Sequence, residues 1–363
     1  MTVLTRIRSR AAALVFCAIA SVCGAAPRSA AAADANSGHP ELSGVTLKIG
    51  VQNSGSSTVK ALLDASAAFA ATPYKLVWAD FDGADGAVEA LNAGAIDLDV
   101  GLNFSAPVLG QGNAAKPWTI ADRPYVIVGA DLQLDRAGTA IVVHPQSGIK
   151  TVKDLAGKSV SFAKGTSNHY FLAIAAKKAG LDLATVNPVL MPLSNARAAF
   201  VGGSVDGLVT AVSNARPIIT SGDGTILATS EGLYDSYAWF VARPAVLADP
   251  VREEATADVL VRLQRAMIWE AEHLDDVAAI FVKVGHQKPA DAALNAAANK
   301  SIYVPIDAKV IAANQDQADV FFAAGVAATK IDARIGFDNR FNDVVAANPG
   351  PPDLQQIAAG KAN

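Results

Sequence analysis

The residues with the clearest capacity for chemistry form one short segment, Phe162 to Tyr170. A run typical of a strand turns here through Gly165 into a helix whose first turn carries Thr166, Ser167 and Asn168. Unpaired backbone N–H groups and the helix dipole attract an anion at a helix N-terminus. The two hydroxyls can donate further hydrogen bonds to sulfonate, carboxylate or phosphate oxygens. The segment is a candidate anion site, although taken alone a Gly-Thr-Ser at a helix start more often means that Thr166 or Ser167 only caps the helix.

The spacing of the other reactive residues argues against catalysis and metal binding. Gly165 is not followed by the Gly-Lys-Ser/Thr of a phosphate-binding loop. His169 lies two positions from Ser167, where side chains on a helix do not face each other, and no Gly-x-Ser-x-Gly turn precedes a helix. The five histidines are scattered without ligand-like spacing. We therefore expect no cofactor, no metal and no enzymatic activity.

The N-terminal residues have the pattern of an export signal. Three arginines precede an apolar run from Ala11 to Ala20, and alanines near residue 31 offer a cleavage site. The run is shorter than the roughly 20 residues that a membrane span requires. We predict that residues 1–33 are a signal peptide that is removed, which leaves a periplasmic protein.

The composition disfavours disulfides and a nucleic-acid partner. Both cysteines, Cys17 and Cys23, lie in the predicted signal peptide, and a domain of this size can bury enough surface without cross-links. The whole chain has a net charge of −4, and removal of its four N-terminal arginines takes it to about −8. A protein that binds nucleic acid needs a basic surface for the phosphates, so this acidic chain is a poor candidate for such a partner.

The hydrophobic pattern predicts an α/β fold around these residues. From Val45 to Phe240, short β-branched runs alternate with longer alanine- and leucine-rich stretches. Polar loops follow the strands predicted at 46–51 and 96–101, and ligands of open parallel sheets bind beyond the carboxyl ends of the strands. These loops supply further candidate ligand contacts, namely Gln52, Ser54, Ser56, Asn103, Phe104 and Ser105.

The order of the elements predicts two lobes joined by two crossings. We assign residues 45–140 and 244–345 to the first lobe and residues 141–243 to the second. The crossings near 140–143 and 238–243 are expected to act as hinges, and Tyr237 beside the second crossing is a candidate ligand contact. Residues 346–363 are expected to form a loose tail, because Asn348 to Pro352 should break any helix.

Five segments in this order resemble the aliphatic-sulfonate, nitrate and taurine group of ABC-transporter substrate-binding proteins. The resemblance covers nearly the whole chain after the signal peptide, and its segments are Lys48–Gln52, Ala90–Asp97, Thr151–Lys158, Phe162–Tyr170 and Asn195–Asp206. It implies a type II periplasmic binding protein fold that closes over a small organic anion and delivers it to a membrane permease. It also implies ligand contacts from 52–56, 103–105 and 165–168, the same loops that sheet geometry selects.

Two departures from the family pattern bear on the ligand. Leu102-Asn103-Phe104 stands where relatives commonly have Thr-Gly-Asp, and Ala211 to Asn214 stands where they carry a tryptophan. The loss of an aromatic residue should widen the cleft, and Phe104 should add apolar surface. We therefore expect the ligand to be an alkyl or aryl sulfonate. We also expect the protein to be a monomer. Two alternatives stay open. One is a neutral heterocyclic ligand, such as a pyrimidine precursor of thiamine. The other is a role as ligand sensor for a membrane receptor. The resemblance to pyrimidine-synthesising enzymes is disfavoured, because those enzymes depend on a cysteine-rich motif.

Overall fold

The computed structural model describes residues 40–52, 58–81, 83–191 and 193–360. The predicted signal peptide lies outside the described residues. The strands are β1 Thr46–Gln52, β2 Lys75–Phe81, β3 Leu98–Leu102, β4 Val126–Gln133, β5 Thr139–Val143, β6 Ser159–Ser161, β7 Asn187–Val189, β8 Gly207–Ala211, β9 Thr225–Thr229, β10 Tyr237–Ala242 and β11 Ser301–Val304. The helices are α1 Val59–Ala65, α2 Ala84–Ala93, α3 Ala106–Gly112, α4 Ser167–Ala179, α5 Leu193–Val201, α6 Val212–Thr220, α7 Pro244–Leu247, α8 Pro250–Glu272, α9 Leu274–Lys283, α10 Pro289–Ala298, α11 Ala308–Ala323, α12 Asn342–Ala347 and α13 Pro352–Ala358.

Two mixed sheets form the centres of the two lobes. The first lobe contains a six-stranded sheet in the order β11-β4-β10-β3-β1-β2, and the second contains a five-stranded sheet in the order β7-β6-β8-β5-β9. Strand β1 pairs in parallel with β2 and β3, and β6 pairs in parallel with β7 and β8. Helices α4, α5 and α6 pack on the second sheet. The predicted α/β class is confirmed.

Local sequence explains the elements that frame the cleft. In β1, Leu47, Ile49 and Val51 are each 0% exposed, as expected for alternate positions of a central strand. Between β6 and α4, Gly165 has φ 74°, a left-handed conformation that L side chains rarely adopt. A Cβ at this position would lie 2.9 Å from the Cδ1 atom of Leu109. Glycine therefore allows the strand to turn into the helix close to the first lobe.

Strand β10 corrects the predicted boundary of the second lobe. Its residues pair antiparallel with β3 and β4, so they belong to the first sheet and not to the second lobe. Residues 140–143, the other predicted hinge, lie within β5 and pair with β8 and β9. The segments that join the sheets are therefore 134–138 and 230–236. An apolar β-run shows that a strand is buried, but its own pattern carries no information about which sheet it joins.

The C-terminal segment is also more ordered than the predicted loose tail. Helix α13 starts with Pro352 in its first turn and contacts β11, and Leu354 is 1% exposed. Proline fits the first turn of a helix because the amide N–H it lacks would have no intrahelical partner there. The prolines of this segment therefore begin a helix rather than prevent one. The final residues, 361–363, lie outside the described part of the chain.

Across residues 40–360, apart from the gaps stated above, no helix is both long enough and apolar enough to cross a membrane.

Candidate ligand-binding cleft

A cleft of about 390 Å³ lies between the two lobes. It is lined by Thr58 and Ser167, which follow β1 and β6, and by Ala211, the last residue of β8. This position beyond the ends of parallel strands is where ligands bind in open α/β sheets. Other lining residues come from the two crossings and from the α9–α10 region of the first lobe, namely Asp135, Arg136, Gly138, Ser236, Phe281, Gln287, Asn295, Ala298 and Asn299.

Two helices begin at the cleft wall. Ser167 is the first residue of α4 and Ser213 lies in the first turn of α6. Within the described structure, neither helix has a side-chain hydrogen bond that caps its N-terminus. The Thr166 hydroxyl instead donates to the carbonyl oxygen of Ala163 at 2.8 Å. Simple capping by Thr166 is therefore not what the structure shows, and both helix ends can offer backbone N–H groups to an anion.

Arg216 is the cleft residue best suited to bind an anion. It is half-buried on α6, and its Nε donates to Oδ1 of Asn295 on α10. Among the described residues no ion pair or hydrogen bond uses its terminal Nη nitrogens. The Asp135 carboxyl is the nearby negative group: burial raises its pKa, and the positive charge of Arg216 partly opposes that rise. A guanidinium with two open donors can bind an oxyanion in bidentate fashion.

The second arginine of the cleft, Arg136, has a structural role. Its guanidinium forms an ion pair with Asp235 and donates to the carbonyl oxygen of Ala358 at 3.2 Å. Lys309 contacts the same Asp235 carboxylate at 2.7 Å. Because its charge is already compensated, Arg136 ties the first crossing to the C-terminal helix and contributes less attraction for a ligand than Arg216.

The lobes touch on both sides of the cleft. On one side, the Thr220 hydroxyl of α6 donates to Asp291 of α10 at 3.1 Å. On the other side, the Tyr170 hydroxyl of α4 donates to Asp316 of α11 at 3.1 Å, and the rings of His169 and Phe321 lie 5.7 Å apart. Burial lowers the pKa of His169, so the neutral imidazole is favoured in this contact. The structure therefore represents a closed arrangement of the lobes.

Comparisons with known proteins agree with this architecture. The chain is 28% identical over 267 residues to an aliphatic sulfonates-binding protein of Escherichia coli strain K12, which covers 72% of this chain and 78% of the relative. The crystal structure of the periplasmic aliphatic sulphonate binding protein SsuA from Escherichia coli superposes with a TM-score of 0.70 at 25% identity and covers 81% of this chain and 92% of that one. Residues 120–232 match the family model described as NMT1/THI5 like. This match covers about a third of the chain and includes the second sheet and segment 134–138, the first of the two that join the sheets.

A second solved structure extends the comparison to a bound state. The alkanesulfonate-binding protein SsuA from Xanthomonas axonopodis pv. citri, bound to MOPS, has a TM-score of 0.66 and 26% identity to this chain. The alignment covers 81% of this chain and 98% of the Xanthomonas protein. The predicted family resemblance and the periplasmic binding protein fold are thereby confirmed.

The structure places the predicted ligand contacts in several environments. Ser167 lines the cleft, and Ser54 and Ser56 lie outside the described residues. The amide of Gln52 donates to both carboxylate oxygens of Asp99 at 3.0 Å. Asn168 is half-buried in the first turn of α4. The ligand contacts predicted for these loops stay predictions. Among the predicted contacts that the structure describes, Ser167 lines the cleft.

The predicted loop after β3 contributes to the core rather than to the cleft. Oδ1 of Asn103 accepts hydrogen bonds from the backbone N–H groups of Ser105 and Ala106, and the Ser105 hydroxyl accepts one from Gln317. Phe104 is 2% exposed and its carbonyl oxygen accepts a hydrogen bond from the Trp239 indole. The expectation that Phe104 offers apolar surface to a ligand is therefore wrong, because aromatic rings from both lobes enclose it.

Tyr237 is likewise a core residue. It is 3% exposed, and its ring stacks on Trp239 at a centroid distance of 5.3 Å.

Gly165 allows the turn into α4, and its N–H donates to Nδ1 of His169 at 3.3 Å. Sequence reasoning missed Arg216. Its signal was the single cation of α6, the helix that begins within segment 211–214. In α6 it lies three positions after Ser213, on the same helix face.

Three acidic residues of the first lobe, on β3, β4 and α8, have carboxyl groups that are largely withdrawn from solvent. Burial raises the pKa of Asp99 to about 8, and hydrogen bonds from Gln52 lower it in part. Burial likewise raises the pKa values of Asp131 and Glu270 to about 7. Each of these acids therefore binds its proton more tightly in the folded protein than in the unfolded chain.

These buried carboxyls predict a loss of stability as the pH rises. Between the unfolded pKa near 4 and the folded pKa, the native state holds more protons, so the free energy of unfolding falls with increasing pH. We expect Asp99→Asn, which cannot ionise, to reduce the fall between pH 5.5 and 7.5 by on the order of 1 kcal/mol. Urea unfolding at both pH values measures this. Asp122→Asn, at an exposed position, is the control, and an unchanged slope in Asp99→Asn would contradict the prediction.

Proposed function

We propose that this chain is the periplasmic substrate-binding component of an ABC importer and captures a small organic sulfonate without turnover. The observation that carries the proposal is the convergence of Arg216 and the N-termini of α4 and α6 on the interlobe cleft. The names of the similar proteins, which are sulfonate-binding proteins, support the choice of ligand. Export through the predicted signal peptide and a permease partner belong to the same proposal.

The chemistry of a sulfonate suits these groups. Its three oxygens share one negative charge and accept hydrogen bonds in a tetrahedral arrangement. The two Nη nitrogens of Arg216 can donate to two of them, and backbone N–H groups near Ser167 or Ser213 can donate to the third. Because a sulfonate stays ionised throughout the physiological pH range, such a site needs no general base. Binding therefore depends on donors that are already in place.

The position of these donors also explains how a ligand would favour closure. Arg216 lies on the second lobe but bonds to Asn295 of the first, and Ser167 lies on the second lobe opposite Gln133 and Thr58 of the first. A ligand that contacts both lobes binds the closed state better and shifts the population towards it. We propose that segments 134–138 and 230–236, which join the two sheets, supply the hinge motion.

A binding screen of the secreted chain tests the proposal. Thermal unfolding is followed with ethane-, butane- and benzenesulfonate, with the matching carboxylates, and with nitrate and neutral pyrimidines. A ligand at a hundredfold excess over its Kd should raise stability by about 2.7 kcal/mol. We expect a shift with sulfonates and a smaller one with carboxylates.

Two results would contradict the proposed ligand. A shift only with pyrimidines would keep the fold and favour a neutral heterocycle. Sulfonate shifts of equal size in the wild type and in an Arg216→Gln, Ser167→Ala double variant would show that the anion binds elsewhere. Consumption of the ligand, followed by NMR, would contradict binding without turnover.

A further inference from the structure

Few charged side chains line the cleft. Among the described lining residues they are Asp135, Arg136 and Arg216. The guanidinium of Arg136 is already paired with Asp235, whose carboxylate also contacts Lys309 at 2.7 Å. Asp135 and Arg216 are therefore the two uncompensated charges that a ligand in the cleft would meet, one negative and one positive.

An aspartate is an unexpected neighbour for a bound anion. Arg216 attracts a negative ligand, whereas an ionised carboxylate in the same cleft repels it. The Asp135 carboxyl and the Arg216 guanidinium interact electrostatically, yet among the described residues no ion pair or hydrogen bond joins them. The guanidinium thus keeps its terminal nitrogens for a ligand, and the carboxylate keeps its negative charge in the space that the ligand would occupy.

A tight turn in the first crossing fixes the Asp135 carboxyl at the cleft. Its Oδ1 accepts a hydrogen bond from the backbone N–H of Ala137 at 3.2 Å, and its carbonyl oxygen accepts one from the N–H of Gly138 at 3.1 Å. Aspartate and asparagine both form such turns through a side-chain bond to the backbone two residues on. The turn explains a short polar side chain at position 135 but gives no reason for its charge.

The groups that act on the Asp135 carboxyl come from three parts of the chain. Burial raises its pKa, the N–H of Ala137 and the positive charge of Arg216 oppose this rise, and the negative charge of the exposed Glu231 in the second crossing adds to it. No histidine lines the cleft among the described residues. Asp135 is therefore the described lining residue whose charge can change between neutral and mildly acidic pH.

This pair of charges distinguishes anions by their own charge. Attraction to a single arginine and repulsion by a single aspartate both grow in proportion to the charge of the ligand, so for any anion the two effects oppose each other. The cost of withdrawing an ion from water grows with the square of its charge. A dianion such as sulfate therefore loses more hydration free energy than the cleft returns. A sulfonate, with one charge, loses less and still meets the donors of Arg216 and the two helix ends.

We propose that Asp135 is a specificity-determining residue that admits monoanionic sulfonates to the cleft and excludes dianions such as sulfate. The inference rests on the proposed function, because it concerns the anionic group that the cleft assigns to Arg216. The carboxylate acts through its charge beside the guanidinium, and the turn that it forms holds it in place. Asparagine at this position would preserve the turn and remove the selection.

Removal of the charge at Asp135 tests this role. The full secreted chain is titrated calorimetrically with ethanesulfonate, alone and in competition with sulfate, at pH 7.5 in Tris chloride at constant ionic strength. Asp135→Asn should bind ethanesulfonate about threefold and sulfate about tenfold more tightly than the wild type, because a Coulomb energy is proportional to the charge of the ligand. The gain for sulfate should thus be about the square of the gain for ethanesulfonate.

Asp182→Asn serves as the matched control. Asp182 forms the same kind of turn, in which its Oδ1 accepts a hydrogen bond from the N–H of Ala184 at 3.0 Å. It is exposed and does not line the cleft, so neither affinity should change. Thermal unfolding of each variant confirms that it folds.

A change of pH tests the same role without a substitution. Sulfate and ethanesulfonate keep their charges between pH 7.5 and pH 5.0, so a change in their relative affinity must come from the protein. In the wild type the preference for ethanesulfonate over sulfate should narrow at pH 5.0, because more of Asp135 is protonated. In Asp135→Asn the preference should be the same at both pH values. The wild-type titrations alone decide the question if Asp135→Asn fails to fold.

The outcomes separate this role from the proposed function. Equal gains for the two anions in Asp135→Asn, or no gain for sulfate, would overturn the selection by charge and leave sulfonate binding intact. A wild-type preference that is the same at pH 7.5 and pH 5.0 would overturn it as well. Absence of ethanesulfonate binding by the wild type would overturn the proposed function and this inference with it.

Discussion

Arg216→Gln should weaken sulfonate binding by about a hundredfold, which corresponds to about 2.7 kcal/mol. The substitution removes the positive charge and the bidentate donor pair that has no other partner in the described structure, yet retains a polar side chain of similar reach. Removal of one partner from a buried, charge-assisted hydrogen bond typically costs 2–5 kcal/mol of binding free energy. Calorimetric titration with butane-1-sulfonate measures the change.

Arg216 also contacts Asn295 of the other lobe, so a control must separate charge from closure. Thr220→Val removes a second hydrogen bond between α6 and α10, from Thr220 to Asp291, and leaves the arginine in place. We expect this variant to lose less than fivefold in affinity. Equal losses in both variants would show that Arg216 acts through lobe contact alone, and an unchanged affinity in Arg216→Gln would exclude it as the anion ligand.

Trp239→Ala should lower the free energy of unfolding by about 3–5 kcal/mol, the usual cost of such a truncation in a core. Trp239 is 0% exposed in β10, at the centre of the first sheet. Its indole N–H donates to the carbonyl oxygen of Phe104 at 3.0 Å, and its ring packs against Tyr237, Phe104 and Phe337. The substitution therefore leaves both a large void and a buried carbonyl oxygen without its donor.

Equilibrium unfolding in urea measures this loss. Trp269→Ala is the matched control, because Trp269 is only half-buried on α8 and stacks on the exposed His273. Trp239→Phe should cost less than the alanine variant, since it keeps most of the ring contacts and loses mainly the hydrogen bond. A loss below about 1.5 kcal/mol in Trp239→Ala, or a loss equal to that of Trp269→Ala, would contradict the assigned role.

Local sequence patterns were sufficient for the fold class and for one part of the site. The alternation of short β-branched runs with alanine-rich stretches predicted the α/β class, and the segment around Gly165 predicted where β6 turns into α4. Both signals are local, because strand periodicity, the turn at glycine and the start of a helix each depend on a few neighbouring residues. Ser167, which reaches the cleft, was found by this reasoning.

Tertiary structure decided the features that depend on distant partners. The apolar run of β10 indicated a strand, but only its pairing with β3 and β4 showed that the second crossing lies before it. Phe104, predicted as a ligand contact, became a core residue because Tyr170, Tyr234, Tyr237 and Trp239 surround its ring. No local rule selects these neighbours, since sequence separations of 66 to 135 residues are closed only by folding.

The charged end of the cleft was also decided by the tertiary structure. Arg216 of α6 donates to Asn295 of α10, 79 residues further along the chain, and in its local context Arg216 is an ordinary charged residue. The sequence by itself determined the elements and the kind of helix end that can face an anion. Packing of the two lobes determined which charges are buried, which are already paired and which still face the cavity, because burial and pairing depend on groups brought together across the whole chain.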